Sequence, residues 1–129
     1  MKRVLLIGLL LIVGCSKEPI NYETSLIERD GVYYTNDTNE PYSGKVFSLY
    51  SDGKKKDEGS IKDGKMISKT KWEYYENGQK EVESTYKDGE RDGVWTTWYE
   101  NGQKMGEGTF KDGELISQKG WNKDGSVKE

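Results

Sequence analysis

A chain of 129 residues has room for one domain, and its four Trp, nine Tyr and two Phe are too many rings for a solvated, disordered chain even though 33% of its residues are charged. A formal charge of −3 and the lack of any long basic run exclude a nucleic-acid backbone as partner. With no histidine and a single cysteine the chain has no imidazole base, no second thiol and no internal disulfide, so no catalytic residue, metal ligand set or cofactor is expected.

Lys2 and Arg3 precede an apolar run from Val4 to Val13, about half of the roughly twenty residues that a spanning helix needs. Residues 1–14 therefore read as a signal peptide. Leu11-Ile-Val-Gly-Cys15 resembles the lipobox of bacterial lipoproteins, with small Gly14 before the cleavage point. The resemblance implies that Cys15 becomes the first residue of the mature chain and carries a diacylglycerol thioether. Two or more acyl chains, at about 0.8 kcal/mol per buried methylene, would make attachment effectively permanent. Ser16 and Lys17, with no Asp at the second mature position, resemble the pattern sent to the outer membrane in two-membrane bacteria. The expected location is extracytoplasmic, lipid-anchored to the cell membrane or outer membrane. Residues 15–29 show no clear period and are expected to form a flexible tether after the lipidated cysteine.

Residues 30–129 are built from one short unit used repeatedly. Tyr74-Tyr-Glu-Asn-Gly78-Gln-Lys returns as Trp98-Tyr-Glu-Asn-Gly102-Gln-Lys, and Lys87-Asp-Gly89 returns as Lys111-Asp-Gly113. Glycines 53, 78, 102 and 125 step by 25, 24 and 23, while Gly64, Gly89 and Gly113 each follow by eleven. Asn-Gly and Asp-Gly are the strongest local hairpin signals, because both central residues of a type I′ turn need positive φ. The spacing leaves about five to nine residues for each strand. The predicted fold is all-β, an elongated up-and-down antiparallel array of β-hairpin repeats.

Aligning the units on their turns puts Glu58, Glu83 and Glu107 in one slot and Ile61, Tyr86 and Phe110 in another, three residues on and therefore on the opposite face. Gly59, Ser84 and Gly108 share the apolar face, where small residues suggest that a ring from a neighbouring strand packs over them. Lys62, Lys87 and Lys111 stand with the glutamates on a charged outer face that discourages edge-to-edge aggregation. Ahead of the turns lie rings and aliphatics, among them Trp72, Tyr75, Trp95, Trp98, Tyr99 and Trp121. Trp95 and Trp98 are three apart, so a bulge or two-sided packing is needed to reconcile them. Asp63, Asp88, Asp112 and Asp124 each precede Gly at a hairpin tip, where turn geometry accounts for them without calcium.

Gly93-Val-Trp95, Trp98-Tyr99-Glu-Asn-Gly102-Gln-Lys and Phe110-Lys-Asp-Gly113 together resemble the MORN-repeat variant, a bacterial relative of the membrane occupation and recognition nexus repeat. Asp30 to Tyr34 and Glu40 to Lys45 resemble the opening strand that often precedes it, so the resemblance spans about residues 30 to 125. Lys69 replaces the glycine that begins the unit at 44 and 93, and Trp72 is one position nearer its turn than Trp95, so the middle unit is expected to be distorted. Chains of this kind are often labelled antitoxin components of the YwqK type, which implies neutralising a partner protein. The expected function is a non-enzymatic, membrane-anchored lipoprotein whose repeats bind a protein or act as a scaffold. Exposed members of the Trp72, Tyr75, Trp98, Tyr99 and Trp121 set are the candidate contacts. The alternatives are an immunity lipoprotein that neutralises a cognate toxin, and cell-wall glycan binding, since Gly120-Trp-Asn-Lys-Asp-Gly125 loosely resembles choline-binding repeats.

Overall fold

The computed structural model describes residues 17–129. Residues 1–14, expected to be a signal peptide, and Cys15 lie outside the described residues. The chain is nearly all strand: β1 (Ile20–Asn21), helix α1 (Tyr22–Ser25), β2 (Leu26–Arg29), β3 (Val32–Thr35), β4 (Gly44–Leu49), β5 (Lys55–Lys62), β6 (Lys65–Tyr74), β7 (Lys80–Lys87), β8 (Glu90–Arg91), β9 (Gly93–Trp98), β10 (Lys104–Lys111) and β11 (Glu114–Gly120). From β4 to β11 the strands follow one another antiparallel in chain order, with β8 paired to β7. Among the described residues no helix is long and apolar enough to cross a membrane.

Two kinds of turn alternate along the ribbon. At one end of the strands Asp30, Asp63, Asp88 and Asp112 have φ between 48° and 52° and the glycine after each has φ between 80° and 87°, the two-residue type I′ loop that matches strand twist. At the other end only the glycine (53, 78, 102 or 125) has positive φ. There Gly78 N donates to Tyr75 O and Tyr75 N to Gln79 O, both at 2.9 Å. This is a three-residue loop closed by a glycine bulge rather than type I′. The expectation of type I′ geometry at every Asn-Gly or Asp-Gly therefore holds for one row of turns only. The asparagine serves the second row in another way: Asn77 Oδ1 and Asn101 Oδ1 accept from the backbone N–H two residues on, at 2.9 and 3.0 Å, the local bond that makes Asn a turn former.

The segment expected to be a tether is part of the fold from Ile20 onward. β1 pairs parallel with β4, Asn21 caps α1 by accepting from Glu23 N at 3.0 Å, and the β2–β3 hairpin closes over the first repeat. Tyr22, Tyr42, Val46 and Ile61 are the buried apolar core, with Ile20, Leu26, Tyr33 and Met66 packed against them. Under this cap lies a buried carboxylate: Asp57, 3% exposed, accepts from Tyr22 Oη at 2.9 Å and from Ser48 Oγ at 2.8 Å. Val82 and Gly106 occupy the same slot in the later units, so the polar socket belongs to the first repeat alone. It commits Asp57 to one partner segment, because a buried carboxylate without donors is strongly unfavourable.

The small residues of the inner face do not share one role. A Cβ on Gly59 would fall on the carbonyl oxygen of Ser68, so backbone rather than a ring closes over it. At Gly108 the nearest side chains are Leu115 of β11 and Phe110 of its own strand, so the ring there is not from a neighbouring strand, while Ser84 donates to Tyr86 Oη at 3.4 Å. Nor is the middle unit the distorted one. Lacking the glycine, β6 runs ten residues without a break, with one register shift opposite Ser60 and Ile61 that leaves Ile67 unpaired with β5 and a second at Glu73 and Tyr74 against β7. The break falls instead in the glycine-bearing unit, between β8 and β9, where Gly93 has φ +99°. Thr85 Oγ1 bridges the gap by donating to Asp92 O at 2.6 Å. Trp95 and Trp98 both lie within β9, where their odd spacing puts them on opposite faces, Trp95 opposite Gly108 and Trp98 opposite Lys104.

Candidate binding face

The glutamate slots and the tryptophans meet on one face of the sheet. Trp72 lies directly across from Glu83 and donates Nε1–H to its Oε1 at 2.8 Å. Lys55, Lys80 and Lys104 pair with Glu58, Glu83 and Glu107 three residues on, at 2.7, 3.1 and 2.9 Å. Each lysine also leans over a tryptophan of the following strand pair: Lys55 over Trp72 at 5.8 Å, Lys80 over Trp98 at 5.6 Å and Lys104 over Trp121 at 5.4 Å from the ring centroids. A second lysine, Lys119, reaches Trp121 at 5.4 Å. Exposed ion pairs contribute little to stability, but here they hold each ammonium against a ring, where quadrupole attraction adds to the pairing. The outcome is a ladder of Glu, Lys and Trp steps repeated across the strands, with the rings half-buried.

Tyr75 and Tyr99 hold a different position. Tyr75 Oη donates to Trp98 O at 2.7 Å and Tyr99 Oη to Trp121 O at 2.9 Å, and Tyr50 does the same to Trp72 O at 2.8 Å. Each tyrosine therefore fastens its own turn to the next, with its hydroxyl already engaged. Asn77 Nδ2 and Asn101 Nδ2 add a parallel link by donating to Glu100 O and Lys123 O, both at 3.0 Å. At the last turn the tyrosine is replaced by Asn122, whose Nδ2 bonds Ser126 Oγ within its own loop, so the series of links stops there. Tyr99→Phe is expected to lower stability by about 1 kcal/mol, the usual contribution of one such bond. Amide exchange should accelerate at Trp121 to Ser126 and stay unchanged in the first repeat; uniform acceleration would contradict the link.

Of the predicted contacts, the fold thus brings Trp72, Trp98 and Trp121 onto one ladder and sets Tyr75 and Tyr99 between successive turns. The latter two line a shallow groove with Glu100, Asn101 and Lys123. Cys15 lies outside the described residues. Sequence reasoning missed Lys55, Lys80 and Lys104, although their signal was present: each follows its turn glycine by two and precedes the slot glutamate by three. Asp57, Ser48 and Tyr22 had no repeating signal to reveal them. Among the described residues no group of three acidic, His or Cys side chains is placed to hold a metal.

Residues 71–88 and 91–112 match the MORN repeat variant family. Each matched segment is one hairpin, the first running from the end of β6 through Gly78 to β7, the second from β8 through Gly102 to β10. The two central hairpins are thus similar to repeats of that family. The hairpin of β4 and β5 shares their turn geometry and their tyrosine link. No curated protein and no solved structure matches the chain.

Proposed function

We propose that the MORN-variant repeats form the scaffold of a non-enzymatic lipoprotein, anchored outside the cytoplasm through lipid on Cys15, which binds a partner protein along its ladder face. Repeats of this family commonly serve as protein- or membrane-binding modules. The observation that carries the reading is the Lys–Trp ladder at Trp72, Trp98 and Trp121. It offers half-buried indoles, amphipathic and already ordered, at regular strand-pair intervals, the kind of surface on which interface energy concentrates. Three separate steps also suit an extended partner better than a compact small molecule, which favours a concave pocket.

The N-terminal cap adds a spatial consequence. Seven residues carry the chain from Cys15 to the docked Tyr22, a reach of at most about 25 Å. The first repeat is then held close to the bilayer instead of at the end of a long tether, and the last turn lies farthest along the sheet from the anchor.

Two measurements test the reading. Metabolic labelling with a radioactive fatty acid should mark the wild-type chain and not Cys15→Ser; equal labelling would remove the anchor. Crosslinked capture from the protein's own cell envelope should retain one partner with the wild type and lose it with Trp121→Ala, whose ring is at the end of the ladder and links no later turn. Undiminished capture by Trp121→Ala, Trp98→Ala and Trp72→Ala alike would reject the ladder as the contact surface.

A further inference from the structure

The opposite face of the sheet carries a second chemical feature. The cap covers this face over β4 and β5 and ends at Met66 on β6. Beyond it, strand register lays Lys69, Tyr86 and Arg91 in one row across β6, β7 and β8, with Lys71 beside them opposite Ser84. A cleft of about 320 Å³ opens there, lined by Lys69, Lys71, Tyr86 and Asp88 among others. One partner of each lysine is small, since Gly59 pairs with Lys69 and Ser84 with Lys71; the others are Tyr86 and Asp57. The two lysines therefore stand beside open space on one side.

We propose that this cleft of Lys69, Lys71 and Tyr86, with Arg91 at its border across from Tyr86, binds a single carboxylate group presented by an acidic peptide. The Arg91 guanidinium is held 4.9 Å from the Trp95 ring centroid and 5.1 Å from that of Phe110, and those two rings meet edge-on at 6.1 Å. Stacking of this sort orders a guanidinium while leaving its N–H donors free for a planar acceptor. Neither Arg91 nor Lys69 takes part in any ion pair among the described residues.

Charge selects the ligand class. Lys71 is paired with Glu73 at 3.3 Å, and Asp88 lines the cleft. Lys71 also stands across from Asp57, so its charge is already met; Lys69 and Arg91 against Asp88 leave about one positive charge uncompensated, which suits a carboxylate and not a dianionic phosphate. The phenol reports the same field. Tyr86 is held below its ordinary value of 10.0, first by the hydrogen bond from Ser84, against opposing burial, and then by Arg91 and the charge of Lys71. A setting that favours a phenolate oxygen also favours a bound carboxylate oxygen. The cleft goes beyond the ladder reading, because it lies on the other face and either surface can fail its test while the other stands.

The test uses the full chain in detergent at fixed ionic strength, titrated with a blocked five-residue peptide bearing one central glutamate, with its glutamine counterpart, and with inorganic phosphate, followed by amide and guanidinium NMR shifts. Saturable shifts confined to Lys69, Tyr86 and Arg91 are expected with the glutamate peptide only. Lys69→Gln should weaken binding about tenfold, the loss of one charge-assisted bond, with an unchanged melting temperature. Arg91→Gln gives a second reading should Lys69→Gln perturb the fold. Equal response to the glutamine peptide, tighter binding of phosphate, or undiminished affinity in both variants would overturn the proposal.

Discussion

Gly59→Val is expected to unfold the first repeat. The new Cβ would sit on the carbonyl of Ser68, and that oxygen belongs to the β6 backbone, which cannot swing aside as a side chain does. Relief requires separating β5 from β6 where they flank the core residues Val46 and Ile61. Overpacking of a well-packed site usually costs 1–3 kcal/mol, and backbone displacement puts this case at or above about 3 kcal/mol. For a domain of this size that is a fall in melting temperature on the order of 10 °C or more, readable by circular dichroism. Gly106→Ala is the matched comparison. Its Cβ would meet Thr97 Oγ1 at 3.2 Å, a rotatable side chain, and the equivalent slots already hold Asp57 and Val82, so a change below about 1 kcal/mol is expected. Similar losses in the two variants would show that close backbone approach is not the cause. The equivalent Ser84 tolerates a side chain because the strand facing it breaks between β8 and β9.

Removing the ring that seats the cap should have a comparable effect. Tyr22→Ala deletes a buried aromatic that packs edge-on to Tyr33 at 5.4 Å and takes away one of the two side-chain donors to Asp57. Cavity formation and the orphaned acceptor together should cost about 4 kcal/mol, whereas Tyr22→Phe, which keeps the ring, should cost about 1–2 kcal/mol. The two variants also differ from the wild type in alkali. Burial and then the hydrogen bond to Asp57 push the Tyr22 hydroxyl well above its ordinary value of 10.0. A raised folded value means that the neutral phenol is favoured in the fold. Its contribution is therefore complete below pH 10 and declines as pH rises above that value, where the unfolded chain ionises first. Tyr33 and Tyr42 are pushed up by burial in the same direction. Thermal melts at pH 7, 10 and 11.5 should fall steeply over the last interval, and less so in Tyr22→Phe. A wild-type melting temperature constant to pH 11.5 would contradict the buried socket.

Much of this architecture is legible before folding because it is written in local requirements. A pair of residues with positive φ excludes almost everything except Asp-Gly or Asn-Gly, so the turns announce themselves and their spacing sets the strands. The Glu58, Glu83 and Glu107 row follows from period-two alternation and holds. The lysines were legible as a row, each two after its turn glycine, but that Lys80 meets Trp98 was not, because that contact joins successive strand pairs. The difference between the two turn types has no such local mark: an aromatic stands three before the glycine at Tyr75 and Tyr99 and equally at Tyr86 and Phe110. The cap has none either. Residues 20–29 carry no period, and Tyr22 is informative only once Asp57 and Ser48 are known to converge on it.

By itself the sequence determined the strand content, the order of hairpins and the turn positions, since these depend on backbone conformations that few residues can adopt. Only the tertiary structure decided which side chains meet. A one-residue bulge at Ile67 or a break at Gly93 shifts the register for every pairing beyond it, and such an offset is settled by packing across strands. The buried socket of Asp57, the tyrosine links between turns and the cationic row at Arg91 all arise in this way, from residues 5 to 35 positions apart that share nothing local.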